Sequence, residues 1–173
     1  MPAEDPFAFR FTIEDSATRA VRLLADEWSL LIVREALFGV SRFGQLQRNL
    51  GISRNVLTDR LHRLVDDGIL EKRQYRSDPA WFEYLLTAKG RDLYKPIMAF
   101  MRWGDDHLAG DHGPPLVLHH TACGHDTRPT VVCDHCRSDL DPRDVVPRPG
   151  PGASAAPATT PTTSDQRRRR RSR

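Results

Sequence analysis

The sequence contains only three cysteines in 173 residues. An odd number of cysteines, all late in the chain, excludes the framework of a disulfide-rich secreted domain. Long hydrophobic runs are also absent: mean hydropathy is −0.54, and no apolar stretch approaches the roughly 20 residues that span a bilayer. The first residues, MPAEDPFAFRF, lack the basic region and apolar core of a secretory signal. We therefore expect a reducing, cytoplasmic location and no membrane partner.

Catalytic signatures are missing as well. The sequence has no phosphate-binding Walker loop, no dinucleotide-binding fingerprint and no recognisable set of nucleophile and base. We therefore predict that the protein is not an enzyme.

Basic residues are concentrated at one end of the chain. The formal net charge is +3, but residues 149–173 contain six Arg and one Asp, which leaves residues 1–148 with a net charge of −2. A nucleic-acid partner would therefore have to bind a local basic surface, helped by the basic tail. The closing RRRRRSR is predicted to add sequence-independent phosphate affinity.

The chain is predicted to be mainly α-helical with a small β-hairpin, an α+β fold. Four regions are expected: a loose arm at 1–15, a folded domain at 16–109, a Cys/His segment at 116–147 and a disordered Pro/Ala/Thr- and Arg-rich tail at 148–173. Helical periodicity runs from Ala17 to Phe38, with a break at Asp26–Trp28. Ala88–Leu108 is predicted as one last helix, kinked at Pro96.

The stretch Leu50–Gly68 is the most informative part of the sequence. Gly51 can end a short helix, Arg42–Leu50, and Ser53 can cap the next helix, which runs to residue 67. In that second helix the leucines fall on one side and Asn55, Asp59 and His62 on the other. A short helix, a tight turn and a helix with a polar face are the pattern of a helix-turn-helix DNA-binding unit.

Two predicted strands follow, at Ile69–Arg76 and Trp81–Thr87, joined by an Asp-Pro turn. A hairpin directly after the polar-faced helix is the wing of a winged helix-turn-helix domain. Side chains for base contacts are expected near the N-terminus of that helix, and arginines further along or outside it suit phosphates. The candidate DNA-binding residues are Arg54, Asn55, Thr58, Arg60, His62, Arg63, Arg42 and Arg76, with Arg48 as a further backbone contact.

Two of these helix positions have a structural alternative. Arg60 lies beside the apolar stripe and is equally suited to an ion pair with a carboxylate such as Glu35. Asp59 is repelled by phosphate, so it is either an acceptor for cytosine or a partner for a neighbouring arginine. Trp28 and Trp103 are expected to anchor the core or a dimer interface rather than to bind a ligand.

The run from Asp26 to Trp103 resembles the HxlR-type winged helix-turn-helix transcriptional regulators, relatives of the MarR group. The matching segments are EWSLLIVREALFG, SRFGQLQRNL, GISRNVLTDRLHRLVDDGIL and FEYLLTAKGRDL, in uninterrupted order and followed by Trp103. The resemblance implies a homodimer whose interface is formed by the first and last helices. It also implies a recognition helix in the major groove and a wing near the minor groove.

The chain departs from the family pattern at two places. Many members carry a sensing cysteine just before the first helix, where this chain has Asp15-Ser16. A thiol sensor at the first helix is therefore not available here. Many members also have a basic residue after the proline turn of the wing, where this chain has Ala80-Trp81, and Arg76 is the expected substitute.

The segment HHTACGHDTRPTVVCDHC is predicted to hold one structural zinc ion. Cys133 and Cys136 form a CxxC pair, and His120 with Cys123 supplies a second pair at the same spacing. His119, His125 and His135 are rival fourth ligands. Reduced thiols without a metal, or a redox-active CxxC pair, are the alternatives.

The combined prediction is a homodimeric, sequence-specific DNA-binding regulator, expected to repress a neighbouring gene. Its partners would be double-stranded promoter DNA, a second copy of the chain and a small-molecule effector that the sequence does not identify. The competing hypothesis is a protein-interaction module that uses the winged domain and the Cys/His segment without reading DNA sequence.

Overall fold

The computed structural model describes residues 15–24 and 26–152. Most of the predicted N-terminal arm and residues 153–173 of the predicted tail lie outside them. The elements are α1 (Ser16–Leu24), α2 (Glu27–Leu37), α3 (Phe43–Leu50), α4 (Arg54–Asp66), β1 (Leu70–Ser77), β2 (Ala80–Leu86), α5 (Ala88–Asp92), α6 (Tyr94–His107), a 3₁₀ turn (Gly110–His112), β3 (Leu118–His120) and β4 (His125–Thr127). The predicted mainly α fold with a small hairpin is confirmed.

One hydrophobic core joins the helices to the hairpin. Ile32 and Val33 of α2 are fully buried, as are Leu57 and Leu61 of α4. The remaining buried members are Leu46, Ile52, Leu64, Ile69, Leu70, Tyr84, Ile97 and Met98. Every helix from α2 to α4 therefore contributes apolar side chains to one interior, and this fixes the polar face of α4 toward the outside.

The hairpin begins and ends within one residue of its predicted bounds. β1 and β2 pair antiparallel from Leu70 opposite Leu86 to Ser77 opposite Ala80, with a bulge between Gln74 and Arg76. A third piece of backbone extends this sheet, because the Tyr84 N–H donates to the Ser41 carbonyl at 2.8 Å and Arg42 bridges Glu83. The start of α3 is therefore attached to the wing.

The single helix predicted for Ala88–Leu108 is wrong in one respect. The helix is interrupted at Leu93, which separates α5 from α6, and is not merely kinked at Pro96. A proline lacks the backbone donor and clashes with the carbonyl four residues before it, which here belongs to Asp92. Pro96 therefore stands in the first turn of a new helix, where proline is tolerated.

The chain divides into two compact units, and Val21–Leu140 contains all the elements from α2 to β4. The predicted regions at 16–109 and 116–147 remain predictions. The described residues of the other unit are 15–20 and 141–152. Within its described residues, the Asp15 carboxylate accepts the Thr18 N–H at 2.7 Å and Arg143 pairs with Asp141 at 2.7 Å.

Candidate nucleic-acid interface

Two residues shape the turn between α3 and α4. Gly51 ends α3 with a φ of 64°, a left-handed conformation that glycine adopts without steric cost. Ser53 is the N-cap of α4, and its hydroxyl oxygen accepts the Val56 N–H at 3.4 Å. The predicted helix end and cap are confirmed.

The two faces of α4 separate as the sequence predicts. Leu57, Leu61 and Leu64 are buried in the core. On the other face, Arg54, Asn55, His62 and Arg63 are exposed, and Thr58 is half-buried. The first turn of the helix therefore offers an arginine fork and an amide to a partner outside the protein.

Arg60 does not share this exposure, since its side chain is 20% exposed. Its Nε donates to the Asp26 carboxylate at 2.8 Å, across 34 residues of sequence. The suggested partner Glu35 is wrong, because Glu35 accepts hydrogen bonds from Asn49 at 2.7 Å and Arg34 at 2.8 Å instead. Arg60 therefore ties α4 to the start of α2.

Asp26 has a second role as the N-cap of α2. One carboxylate oxygen accepts the Ser29 N–H at 2.9 Å, and the other accepts the Ser29 hydroxyl at 2.6 Å. Partial burial raises the pKa of the Asp26 carboxyl, but the hydrogen bonds from Ser29 and the Arg60 guanidinium outweigh it and leave the pKa below its ordinary value. The ion pair with Arg60 is therefore fully formed at neutral pH.

The neighbours of Asp59 distinguish between its two predicted roles, cytosine acceptor and arginine partner. Its carboxylate binds Arg60 and lies 3.4 Å from Nε of Arg63 on the next turn. Asp59 is thus an arginine partner in this structure, and it neutralises part of the charge on the second turn of α4.

A cleft of about 640 Å³ opens between the hairpin and the start of α3 and α4. Arg42, Arg48 and Arg54 line one side of it. Tyr75, Trp81 and Phe82 line the other, from the hairpin. The arginines give the cleft the positive charge that suits a phosphate backbone, and the aromatic rings add flat apolar surfaces.

Aromatic rings hold several of these cations. The Arg42 guanidinium lies 4.7 Å from the Tyr75 ring centre, and that of Arg54 lies 5.5 Å from Phe43. Arg76 of the wing is 5.7 Å from Trp81, which packs edge-to-face on Tyr75 at 6.1 Å. These contacts leave the guanidinium hydrogen-bond donors free to bind a ligand while limiting side-chain freedom.

Sequence reasoning missed Tyr75 and Lys72 in this region. The Lys72 ammonium lies 4.2 Å from the Phe82 ring on the wing. Residues 71–74 are all charged or polar, so no alternation along β1 indicates which side chains face the cleft. Arg73 points to a different role, because it pairs with Glu83 across the hairpin at 2.9 Å.

In the Cys/His segment, one of the two predicted ligand pairs is in contact. Nδ1 of His120 lies 3.2 Å from Sγ of Cys123. Hydrogen bonds from Ser138 and from Cys133 hold the pKa of the Cys136 thiol below its ordinary value. Over residues 15–24 and 26–152, no three His, Cys, Asp or Glu side chains are grouped closely enough to hold a metal ion.

The comparison with known proteins begins with a family model. The model of the HxlR-like helix-turn-helix family matches residues 23–112. None of the helices in the described ranges is long and apolar enough to cross a membrane.

Individual relatives extend the match. The uncharacterized HTH-type transcriptional regulator Rv3095 of Mycobacterium tuberculosis is 49% identical over 138 residues, which cover 80% of this chain and 87% of Rv3095. An uninterrupted stretch of that length in 173 residues includes residues 36–138, so the similarity runs through the Cys/His segment. The regulator sll1512 of Synechocystis is 40% identical over 89 residues, which cover 51% of this chain and 66% of sll1512.

Solved structures show the same fold. The crystal structure of PA1607, a candidate transcription factor, superposes with a TM-score of 0.70 at 32% identity and covers 77% of this chain and 93% of PA1607. PA1374 of Pseudomonas aeruginosa, also a candidate transcription factor, gives a TM-score of 0.56 at 31% identity over 87% of this chain and 97% of its own. With the capped helix pair and the wing in place, the protein belongs to the HxlR-like helix-turn-helix family.

Proposed function

We propose that this protein is a sequence-specific DNA-binding transcriptional regulator that reads the major groove with α4. The observation that carries the proposal is the exposed first turn of α4, with Arg54 and Asn55, beside an arginine-lined cleft. The names of its relatives, HTH-type transcriptional regulators, support the same conclusion.

The dimensions of α4 suit this role. Its 13 residues span roughly 20 Å, and the major groove, about 12 Å wide, admits one helix. Arg54 can donate two hydrogen bonds to guanine, and Asn55 can pair bidentately with adenine. Thr58 and His62 lie one and two turns further along and would contact bases or phosphates beyond them.

The cleft supplies contacts that do not depend on sequence. Arg42 and Arg48 would bind phosphates flanking the recognition helix, and Arg76 would do so from the wing. Arg63 is exposed enough to join them, whereas the ion pair of Arg60 with Asp26 assigns it to positioning α4. The predicted DNA-binding set therefore divides into base-contacting, phosphate-contacting and positioning residues.

A homodimer is part of the proposal. Three large apolar side chains of the α6 region are exposed: Phe100 at 65%, Trp103 at 56% and Leu108 at 72%. A second copy would cover them, and two recognition helices would then meet half-sites about 34 Å apart. Trp103→Glu should shift the molar mass in analytical ultracentrifugation from two chains to one. Tyr94→Glu is the matched control, and a monomeric wild type would refute the dimer.

Repression is the regulatory output that we propose. A dimer seated on a promoter blocks access to it, and no further partner is needed. Deleting the gene should raise transcription from the bound promoter in a reporter assay. A fall in transcription would mean that the protein activates instead.

Selection of duplexes from a random DNA pool tests the DNA-binding proposal as a whole. The full chain should enrich one sequence with two related half-sites. Enrichment should disappear with Arg54→Ala combined with Asn55→Ala, and persist with Lys95→Ala, which removes a cation outside the cleft. If no sequence is enriched, the protein-interaction hypothesis is preferred. If the double variant enriches the same sequence, α4 is not the reading element.

A further inference from the structure

The Cys/His segment contains two turns of the same shape. In the first, the Gly124 N–H donates to the His120 carbonyl at 2.9 Å, and Gly124 has a φ of 71°. In the second, the Arg137 N–H donates to the Cys133 carbonyl at 3.0 Å, and Arg137 has a φ of 63°. Each turn therefore places a candidate ligand at its first and fourth positions and ends in a left-handed residue.

Arg137 marks the second turn as an unusual one. It is the one non-glycine residue with positive φ in the part of the chain that the structure describes. This conformation is uncommon for a residue with a Cβ and needs a surrounding constraint. The constraint is the small loop around it, closed by the Cys133 N–H on the Ser138 carbonyl at 2.8 Å and by the bridge from Val132 to Asp139.

The side chains of the first turn stand close enough to share one ion. Nδ1 of His120 and Sγ of Cys123 are 3.2 Å apart. Two ligands of a tetrahedral zinc, with a Zn–N bond near 2.1 Å and a Zn–S bond near 2.3 Å, are about 3.6 Å apart.

Two of the three rival histidines are engaged elsewhere. Nδ1 of His119 lies 3.0 Å from the Asp126 carboxylate, and His119 and His120 point to opposite faces of β3 because they are neighbours in a strand. Nδ1 of His125 lies 2.7 Å from the Cys123 carbonyl oxygen. Of His119, His120 and His125, only His120 has a ring nitrogen in contact with a cysteine sulfur among the described contacts.

The segment also has little buried core of its own. Leu118 packs against the core of the helices, but Val131 is 61% exposed and Leu140 is 46% exposed. Small segments of this kind are commonly stabilised by a metal or a covalent link. No disulfide is formed in the structure, because all three cysteines are free.

We propose that His120, Cys123, Cys133 and Cys136 bind one structural zinc ion that joins the two turns. The His120–Cys123 contact is formed, but the two turns do not converge in the described structure. We therefore infer that the turns approach one another when the metal binds, as ligand-coupled folding requires. Four protein ligands leave no open position, so the ion is structural.

Zinc content of the full chain, purified without chelators or metal-affinity resin, tests the proposal. We expect one equivalent per chain, falling below a tenth of an equivalent in Cys123→Ser, Cys136→Ser and His120→Asn. The matched controls His119→Asn and His125→Asn should keep their zinc. A wild-type protein with less than a tenth of an equivalent after incubation with zinc chloride would overturn the site.

Cobalt substitution gives a second measurement on the wild-type chain, which does not depend on how a variant folds. Cobalt should produce the intense visible bands of a tetrahedral site and a thiolate charge-transfer band. Weak bands typical of octahedral cobalt, or loss of zinc in His125→Asn with retention in His120→Asn, would contradict the ligand set.

Discussion

The carboxylates at the two ends of α2 each hold one helix of the helix-turn-helix unit. Asp26 binds Arg60 of α4, and Glu35 binds Asn49 of α3. Partial burial raises the pKa of the Glu35 carboxyl, but the hydrogen bonds from Asn49 and Arg34 outweigh it and lower the pKa below its ordinary value. Both carboxylates are therefore charged in the folded protein, and α2 serves as the frame on which the recognition helix is oriented.

Asp26→Asn should reduce the free energy of unfolding by about 1–2 kcal/mol at pH 7, because it removes the charge that faces Arg60 but keeps a capping oxygen. A carboxyl whose pKa is lowered by folding stabilises the protein above its unfolded pKa, near 3.8, and loses that contribution as pH falls through the folded pKa. The difference between wild type and variant should therefore shrink between pH 5 and pH 3.

Urea unfolding at both pH values provides the measurement. Glu27→Gln is the control, since it removes a charge from the adjacent, exposed residue in the first turn of α2. That change should cost only a few tenths of a kcal/mol, as expected for a surface charge near a helix N-terminus. Equal losses in the two variants would show that the Asp26–Arg60 pair has no special role.

At the scale of elements, α5 lies unusually close to the end of the helix-turn-helix unit. The Thr87 hydroxyl donates to the Gly68 carbonyl at 2.7 Å and accepts the Gly90 N–H at 3.0 Å. A Cβ on Gly90 would stand 2.2 Å from the Ile69 carbonyl oxygen. Residue 90 must therefore be glycine for β1, β2 and α5 to keep their packing.

Gly90→Ala should lower the free energy of unfolding by about 3 kcal/mol, the upper part of the range for overpacking, because the clashing atom is backbone and cannot rotate away. Gly104→Ala is the matched control: it is also helical, with nothing within 4 Å of the added Cβ. Alanine is favoured over glycine in a helix by up to about 1 kcal/mol, so this control should be neutral or stabilising. Thermal melts of both variants distinguish the two cases.

Most elements could be predicted from the sequence because their signals are local. Gly51 and Ser53 mark the turn, and the period of Leu57, Leu61 and Leu64 fixes the buried face of α4. The Asp26–Arg60 pair and the attachment of Ser41 to the wing could not be predicted, since they join residues 34 and 43 positions apart. The break at Leu93 could not be predicted from apolar periodicity, because that periodicity continues through it. The break itself arises because Pro96 lacks a backbone donor.

The candidate site, like the fold, could be predicted only where its signals are local. Exposure of Arg54, Asn55 and His62 follows from helix periodicity alone. The aromatic side of the cleft, with Tyr75 and Phe82, depends on how the hairpin twists over α3, and no local pattern encodes that.

At the scale of the whole molecule, charge is divided between the domain and the tail. Residues 149–173 carry six of the 26 basic residues, while the rest of the chain is slightly acidic. Specific contact therefore depends on a few arginines around the cleft, and the tail adds attraction that every DNA sequence shares.

Removing residues 166–173 should weaken binding to non-specific duplex and flatten its dependence on salt. Each phosphate that is no longer neutralised reduces the slope of log K against log salt by about 0.9, and up to six arginines are lost. Titrations between about 50 and 200 mM salt measure the slope. An unchanged slope would exclude the tail from DNA binding. If the truncation lowers the affinity for specific and non-specific duplex equally, sequence discrimination belongs to the domain.

The most direct test of the central claim, that the first turn of α4 reads bases, is the ratio of affinities for the selected duplex and a scrambled one. Asn55→Ala should lower this ratio by about 5- to 150-fold, as expected for the loss of a bidentate base contact of about 1–3 kcal/mol. Arg48→Ala should weaken both duplexes equally and reduce the salt slope by about 1. An unchanged ratio in Asn55→Ala, or a ratio that falls only in Arg48→Ala, would contradict the assignment of base reading to α4.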